Sequence, residues 1–326
     1  MALFRTLSLT QVNEIMADYD LPPALACAPI AVGTINTNVR VQTADGLRFL
    51  RINEGKSLDD VRREAAIVSH LAARGVPTPA PLRARDGQPF TRWQGQLVSL
   101  FPWLPGRTLS RADLLPAHAG EVGRALAALH LAGADYPDHS PGRYEPAEID
   151  RRFAAIAVQA SIARNDLQDA VAALGPELAA LHADRHPDLP MGVIHADLFI
   201  DNVMYEGDVL GALIDFEQAA WGRLAYDLAV TTLAFGYGRD DFRPEIVTAL
   251  LAGYASVRRP TAAERAAFPA ELRFAACRFA VTRITDVYLR RSEGAAPGKD
   301  YRRYLARLQT VKARLASGPD PILTLP

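Results

Sequence analysis

The spacing of apolar residues divides the chain near its first third. Leu9, Val12, Ile15 and Met16 share one face of a helix that Ser8 or Thr10 can cap and that Pro22 and Pro23 close. The stretch IAVGTINTNVRVQTADGLRFLRI (30–52) holds two segments rich in Val, Ile and Leu around an Ala-Asp-Gly turn, which predicts a β-hairpin. Over 58–75, Val61, Ala65, Val68 and Leu71 or Ala72 recur at helical spacing, and Gly75 suits the C-terminal end. The proline-rich VPTPAPL leads to an apolar strand, QLVSLFPWLPG (96–106), that runs into a proline-interrupted connector. Alanine-rich helical patterns dominate beyond it, and the chain from about residue 224 also reads as helix. Only VIHADLFIDNVMY (193–205) and VLGALIDFE (209–217) carry strand signals in this half. The expectation is an α+β protein, with a small β-rich lobe over 1–103 and a larger, mainly helical lobe over 104–326 that embeds a hairpin.

Composition narrows the partners. At 326 residues and 49 % apolar content, the chain can bury a large core. A formal charge of −1 argues against nucleic acid or an anionic membrane surface as partner. Cys27 and Cys277 lie far apart and match no metal or disulfide spacing, which suits two buried thiols in a reducing compartment. The N-terminus lacks the basic-then-apolar layout of a signal peptide, and no apolar run approaches the length of a membrane span. A cytoplasmic protein is expected.

The chemistry concentrates at 193–217. Within 193–205, a histidine, two aspartates and an asparagine between apolar runs are costly within a buried strand, so a polar loop held between strand ends is the economical reading. Val203–Tyr205 and Val209–Ile214 flank the turn sequence Glu206-Gly207-Asp208, so a hairpin would bring Asn202 and Asp215 to its open end, with Asp197 just upstream. Two carboxylates and a carboxamide there would suit Mg²⁺, or Asp197 could accept or orient the proton of a substrate hydroxyl. His195 reads as a brace for the loop. One such residue alone would only cap a turn; three at this spacing point to catalysis.

The pair HADLFIDN and IDFE resembles the catalytic loop and metal-binding aspartate of the protein-kinase-like phosphotransferases, which include aminoglycoside phosphotransferases and choline kinases. The resemblance implies a bilobal protein-kinase-like fold, ATP and Mg²⁺, Asp197 as catalytic aspartate, and Asn202 and Asp215 as metal ligands. It also places GTINTN, with Gly33, Asn36 and Asn38, at the nucleotide loop, Arg51 of FLRI at the phosphate-binding cation, Glu64 as that cation's partner, and Phe101 and Trp103 at the adenine hinge. Many relatives have lysine where Arg51 stands; arginine keeps the charge in a different geometry. Lys56 is the lesser substitute.

The order of VGTINTNVRVQTADGLRFLRI, GVPTPAPL, LPG, VIHADLFIDNVMYEGDVLGALIDFEQA, LAYDLAV and ELRFAACRFAVTRITDVYL is similar to homoserine kinases built on the aminoglycoside-phosphotransferase fold. This implies transfer of the ATP γ-phosphoryl group to the side-chain hydroxyl of L-homoserine, a step toward threonine. Residues 143–190 are the least family-like, and Glu217 stands where many of these kinases have an aromatic residue. A choline or ethanolamine kinase is the alternative, since Trp221 and Tyr226 could suit a cationic alcohol, although lobe packing explains them too. Homoserine is a zwitterion, so Arg283 is expected to bind its carboxylate and Asp286, or Glu217, to face its amine. Leu272, Ala276, Ala280, Ile284 and Val287 would form the packed face of that last helix, with Arg283 and Asp286 on a neighbouring face.

Overall fold

The computed structural model describes residues 6–30, 36–185, 188–290 and 300–326. The chain divides into two compact units: residues 1–107 with 204–206 and 211–217, and residues 108–203 with 207–210 and 218–326.

The first unit is a five-stranded antiparallel sheet with two helices. Helix α1 (Leu9–Met16) begins at Ser8, whose side chain accepts from the Gln11 backbone while Gln11 reciprocates, a capping box. Strands β1 (Ala26–Pro29), β2 (Thr37–Thr43) and β3 (Gly46–Ile52) precede α2 (Leu58–Ala73), and β4 (Thr91–Trp93) and β5 (Gln96–Pro102) follow it, in the order β1-β2-β3-β5-β4. In β2 Thr37, Val39, Val41 and Thr43 point inward. With Leu50, Ile52, Val98 and Leu100 the two valines form one core with Val12, Ile15, Met16 and Tyr19. Register places Asn38 opposite Arg51, and Arg51 opposite Ser99.

The second unit is mainly helical. After β6 (Arg107–Thr108) come α3 (Pro116–Ala132), α4 (Pro146–Ile162), α5 (Gln168–Asp184) and β7 (Met191–Ile194); the chain then runs through the hairpin strands β8 (Val203–Glu206) and β9 (Val209–Leu213), most of whose residues belong to the first unit, before β10 (Ala220–Arg223) and α6 (Leu224–Gly236). Helices α7 (Pro244–Val257), α8 (Ala262–Arg283) and α9 (Arg302–Leu315) complete it. Every residue of α6 is buried. Helices α3 and α7 touch backbone to backbone: a Cβ on Gly123 would lie 2.1 Å from the Leu250 carbonyl oxygen, and one on Gly253 2.2 Å from that of Gly120. No described helix is long and apolar enough to cross a membrane.

Several elements differ from expectation. Helix α1 ends at Met16, well before Pro22. Strands β1, β4 and β10 were not anticipated; they run for three or four residues and contain Pro29, Arg92 or Gly222, too short and mixed for a period-2 signal. The last predicted helix changes after Arg283 into a π turn over Ile284–Tyr288, so Ile284 stays buried while Val287 is only half-buried.

Candidate active site

In the second unit the polar loop 195–202 leaves β7, which pairs antiparallel with β10. Ala196 takes a left-handed conformation (φ 60°), unfavourable for a residue with a Cβ, so something must hold it. Asp227, fully buried in the first turn of α6, does so: its Oδ2 accepts from the His195 N–H and its Oδ1 from the Ala196 N–H, both at 2.7 Å. Behind it, His130 Nε2 lies 3.0 Å from Asp227 Oδ2, and His130 Nδ1 lies 2.7 Å from the Tyr254 hydroxyl. Burial raises the Tyr254 pKa, which keeps that phenol a donor. His195 itself is completely buried.

Asp197, next along the loop, has a partly exposed side chain. Its backbone carbonyl accepts from Asn202 Nδ2 at 2.8 Å, which turns the Asn202 Oδ1 away from the loop. Asn202 ends a short 3₁₀ turn directly before β8. Phe199 packs edge-on against Phe279 of α8, centroids 5.1 Å apart. One turn of that helix presents Arg278, whose Nη1 lies 3.7 Å from Asp197 Oδ1.

In the first unit Arg51 Nη2 pairs with Glu64 Oε2 at 2.9 Å. Glu64 lies on the buried stripe of α2 with Val61, Ala65 and Val68, where an unpaired carboxylate would be costly. Lys56 joins them, 3.5 Å from Glu64 and 2.5 Å from Glu217. Asn36 Nδ2 donates to Glu217 Oε1, and Arg51 Nη1 lies 3.8 Å from the same oxygen. Burial opposes the charge on Arg51, but Glu64 and Glu217, with Asp215 beyond, outweigh it and hold its pKa above the usual arginine value. Burial likewise opposes the Glu217 charge, and Lys56 and Arg51 overcome it, holding its pKa below the usual carboxylate value. Phe101 packs against Phe49 and under the Arg51 guanidinium, 5.1 Å from its centre, and Trp103 is half-buried just past β5. Asp215, two residues beyond β9, has φ 66°. Gly33 lies outside the described residues.

Some expected residues are engaged otherwise. The Glu217 carboxylate is occupied by Lys56, Asn36 and Arg51 instead of standing open to a substrate amine. Asp286 Oδ1 takes Arg152 at 2.7 Å, and its Oδ2 lies 3.4 Å from the Tyr144 hydroxyl. Arg283 donates to the Asp300 carbonyl at 3.2 Å and stacks over Tyr304. The π turn that begins after Arg283 breaks the simple helical spacing that would have put Arg283 and Asp286 on one face. Asp227 and Arg278 were not singled out within LAYDLAV and ELRFAACRFAVTRITDVYL, although a charge within an apolar face, Asp227 being the one charge of α6, is itself a signal.

Residues 26–268 match the model of the phosphotransferase enzyme family. The chain belongs to that family. This phosphotransferase is 36 % identical to a homoserine kinase of Xanthobacter autotrophicus over 95 % of both chains. It is also 36 % identical to one of Methylobacterium radiotolerans over 88 % of both, and 33 % identical to one of Rhizobium meliloti over 97 % of this chain and 96 % of the relative. Its fold is that of an amicoumacin kinase seen with AMP-PNP and Ca²⁺ (TM-score 0.69, 16 % identity, 97 % and 96 % covered). A spectinomycin phosphotransferase seen with ADP (0.68, 13 %, 98 % and 97 %) and a microcompartment-associated aminopropanol kinase (0.68, 16 %, 97 % and 100 %) share it.

Proposed function

We propose that this phosphotransferase transfers the γ-phosphoryl group of ATP to the side-chain hydroxyl of L-homoserine, forming O-phospho-L-homoserine on the way to threonine. The observation that carries the reading is near full-length similarity to homoserine kinases at 32–36 % identity. In this reading residues 1–103 bind the nucleotide and 104–326 the acceptor. Asp197, on a loop that Asp227 holds rigid, accepts or orients the proton of the attacking hydroxyl. Arg51 and Lys56 are the phosphate cations, poised by Glu64 and Glu217. Asn36, directly before β2, and Asn38, already within it, are the nucleotide-binding asparagines in this reading, and Phe101 and Trp103 flank the adenine.

Asn202 and Asp215 would hold Mg²⁺. The donor set fits a hard cation: one carboxylate and one amide oxygen, the latter turned outward because Asn202 Nδ2 is tied to Asp197. When bound, such an ion neutralises charge on the phosphates. The protein's own part is to align the hydroxyl, supply the cations and exclude water.

The aromatics that could have favoured choline or ethanolamine are used in packing: Trp221 stacks on His139 at 3.9 Å, and Tyr226 packs on Phe274 at 5.7 Å. ADP release is therefore expected to be fastest with L-homoserine in a panel that includes choline, ethanolamine, an aminoglycoside and a serine peptide. A far larger kcat/KM for another alcohol sinks the homoserine assignment.

A further inference from the structure

Arg278 is an unusual residue to find where it lies. It projects from α8, a helix whose surrounding positions Phe274–Cys277 and Phe279–Thr282 are all buried, and it is itself only 3 % exposed. A guanidinium taken that far from water should be fully paired. This one is not. Its Nε has no hydrogen-bond partner among the described residues, and its nearest carboxylate oxygen, Asp197 Oδ1, stands at 3.7 Å, beyond a good hydrogen bond.

What fixes Arg278 is its faces. The guanidinium centre lies 4.2 Å from the Tyr144 ring and 3.8 Å from the Phe279 ring. Tyr144 is set by Asp286, 3.4 Å from its hydroxyl, and by Arg152, which bonds Asp286 and lies over the same ring. Phe279 is set by Phe199 of the catalytic loop and by Tyr304, stacked at 4.8 Å. Aromatic contacts of this kind hold the cation while leaving the N–H groups of its edge for another partner. The neighbourhood is also rich in positive charge. Arg283 and Arg307 both stack over Tyr304, at 4.5 and 4.4 Å, and the Arg307 Nε likewise has no partner among the described residues. A buried set of arginines next to one aspartate suits an anion.

We propose that Arg278 binds the carboxylate of the acceptor and so selects an amino-acid alcohol over a simple amino alcohol. The inference rests on the reading of Asp197 as the residue that receives the acceptor hydroxyl. In homoserine the hydroxyl oxygen and the carboxylate carbon are about 5 Å apart in an extended chain, from ordinary bond lengths. With the hydroxyl on Asp197, the carboxylate falls within reach of the free edge of the guanidinium. Asp286, Arg152 and Tyr144 then act as positioning residues for that fork, which gives the pairs at Asp286 a role distinct from contacting the amine.

The test compares L-homoserine with 3-aminopropan-1-ol, the same molecule without its carboxylate. Wild-type protein is expected to prefer homoserine by about 100-fold or more in kcat/KM, the scale of one desolvated charge pair. In Arg278→Gln the homoserine KM should rise about 100-fold, while the ATP KM and the inhibition constant of 3-aminopropan-1-ol stay within roughly threefold. Arg278→Lys, which keeps the charge and loses the fork, should fall between the two. A role confined to orienting Asp197 predicts instead an equal loss of kcat with both alcohols, and that result overturns the proposal. So does a wild-type enzyme that phosphorylates both alcohols equally well, whether or not either variant folds. If wild-type protein ignores homoserine and phosphorylates another alcohol, it is the homoserine-kinase reading that fails, and the proposal with it; the variant results do not produce that pattern.

Discussion

Asp227 holds Ala196 in a conformation that an alanine does not adopt unaided: the carboxylate accepts the Ala196 N–H at 2.7 Å while φ stays at 60°. The same carboxylate takes the His195 N–H and His130, so one buried side chain fixes the backbone from which Asp197 projects. In Asp227→Asn, an amide NH₂ must face at least one of these donors. Stability should fall by about 2–4 kcal/mol and kcat by about 100-fold, because donors are left unsatisfied in the interior and the loop loses its template. Denaturant melts and steady-state kinetics check this; unchanged kcat in a folded variant would show that the loop holds its shape without Asp227.

Asp197→Asn and Asp215→Asn should both remove most activity, by different routes. Losing Asp197 spares nucleotide binding, whereas losing Asp215 weakens Mg²⁺-ATP binding. Calorimetric titration with Mg²⁺ and a non-hydrolysable ATP analogue separates them, and equal losses in both variants would refute the division of roles.

The two cations of the first unit differ in their surroundings. Arg51 is flanked by Asn38 and Ser99 in the sheet, and Lys56 lies in the connection to α2. Both reach Glu64, so under the proposed reading removing either leaves one charge for the phosphates. Arg51→Met and Lys56→Met should each raise the ATP KM by about tenfold, and the double variant by more than the product, as expected when two groups share partners. Simple multiplicativity would show that they act independently.

Glu217 sets an acid limit. Its folded-state pKa lies below the unfolded value, so it binds a proton more readily when the chain unfolds. Its contribution to stability is complete above the ordinary carboxylate range and is lost as pH falls through its lower folded value. Wild-type protein should therefore lose more stability between pH 7 and pH 3 than Glu217→Gln does, measured by urea melts at each pH; parallel losses would remove Glu217 from the acid limb.

The contact of α3 with α7 gives a purely structural prediction. Gly123→Ala places a methyl 2.1 Å from the Leu250 carbonyl oxygen, so the helices must separate. A loss of about 3 kcal/mol follows from such overpacking, read from a denaturant midpoint shift with little change in KM.

Much of this was legible in the sequence, for identifiable reasons. Asp197, Asn202 and Asp215 stood out as candidates because polar residues interrupt apolar runs at short spacing, and the Arg51–Glu64 ion pair was expected from the resemblance of FLRI to a strand that carries a phosphate-binding cation. Helices α1 and α2 followed from periodic apolar patterns, with a capping serine read for the first and Gly75 for the end of the second. Lys56, Arg278 and Asp227 were obscure because their roles depend on neighbours 31 to 161 residues away, such as Glu217 for Lys56 and Ala196 for Asp227. The short strand β10 exists chiefly through its pairing with β7, a tertiary effect that local propensity does not carry.

Helix α6 has no face turned to water, and it carries the aspartate on which the loop 195–202 hangs. Any substitution along those thirteen residues is therefore a change to the interior, felt by packing and by the loop together. Helix α4 is the opposite case, burying only Ile149, Ile156 and Ala160 while Arg152 reaches Asp286. A population of this enzyme selected for a new alcohol should accumulate its tolerated changes along α4 and α5 and almost none in α6. Acceptor choice can then drift while the machinery that moves the phosphoryl group stays as it is.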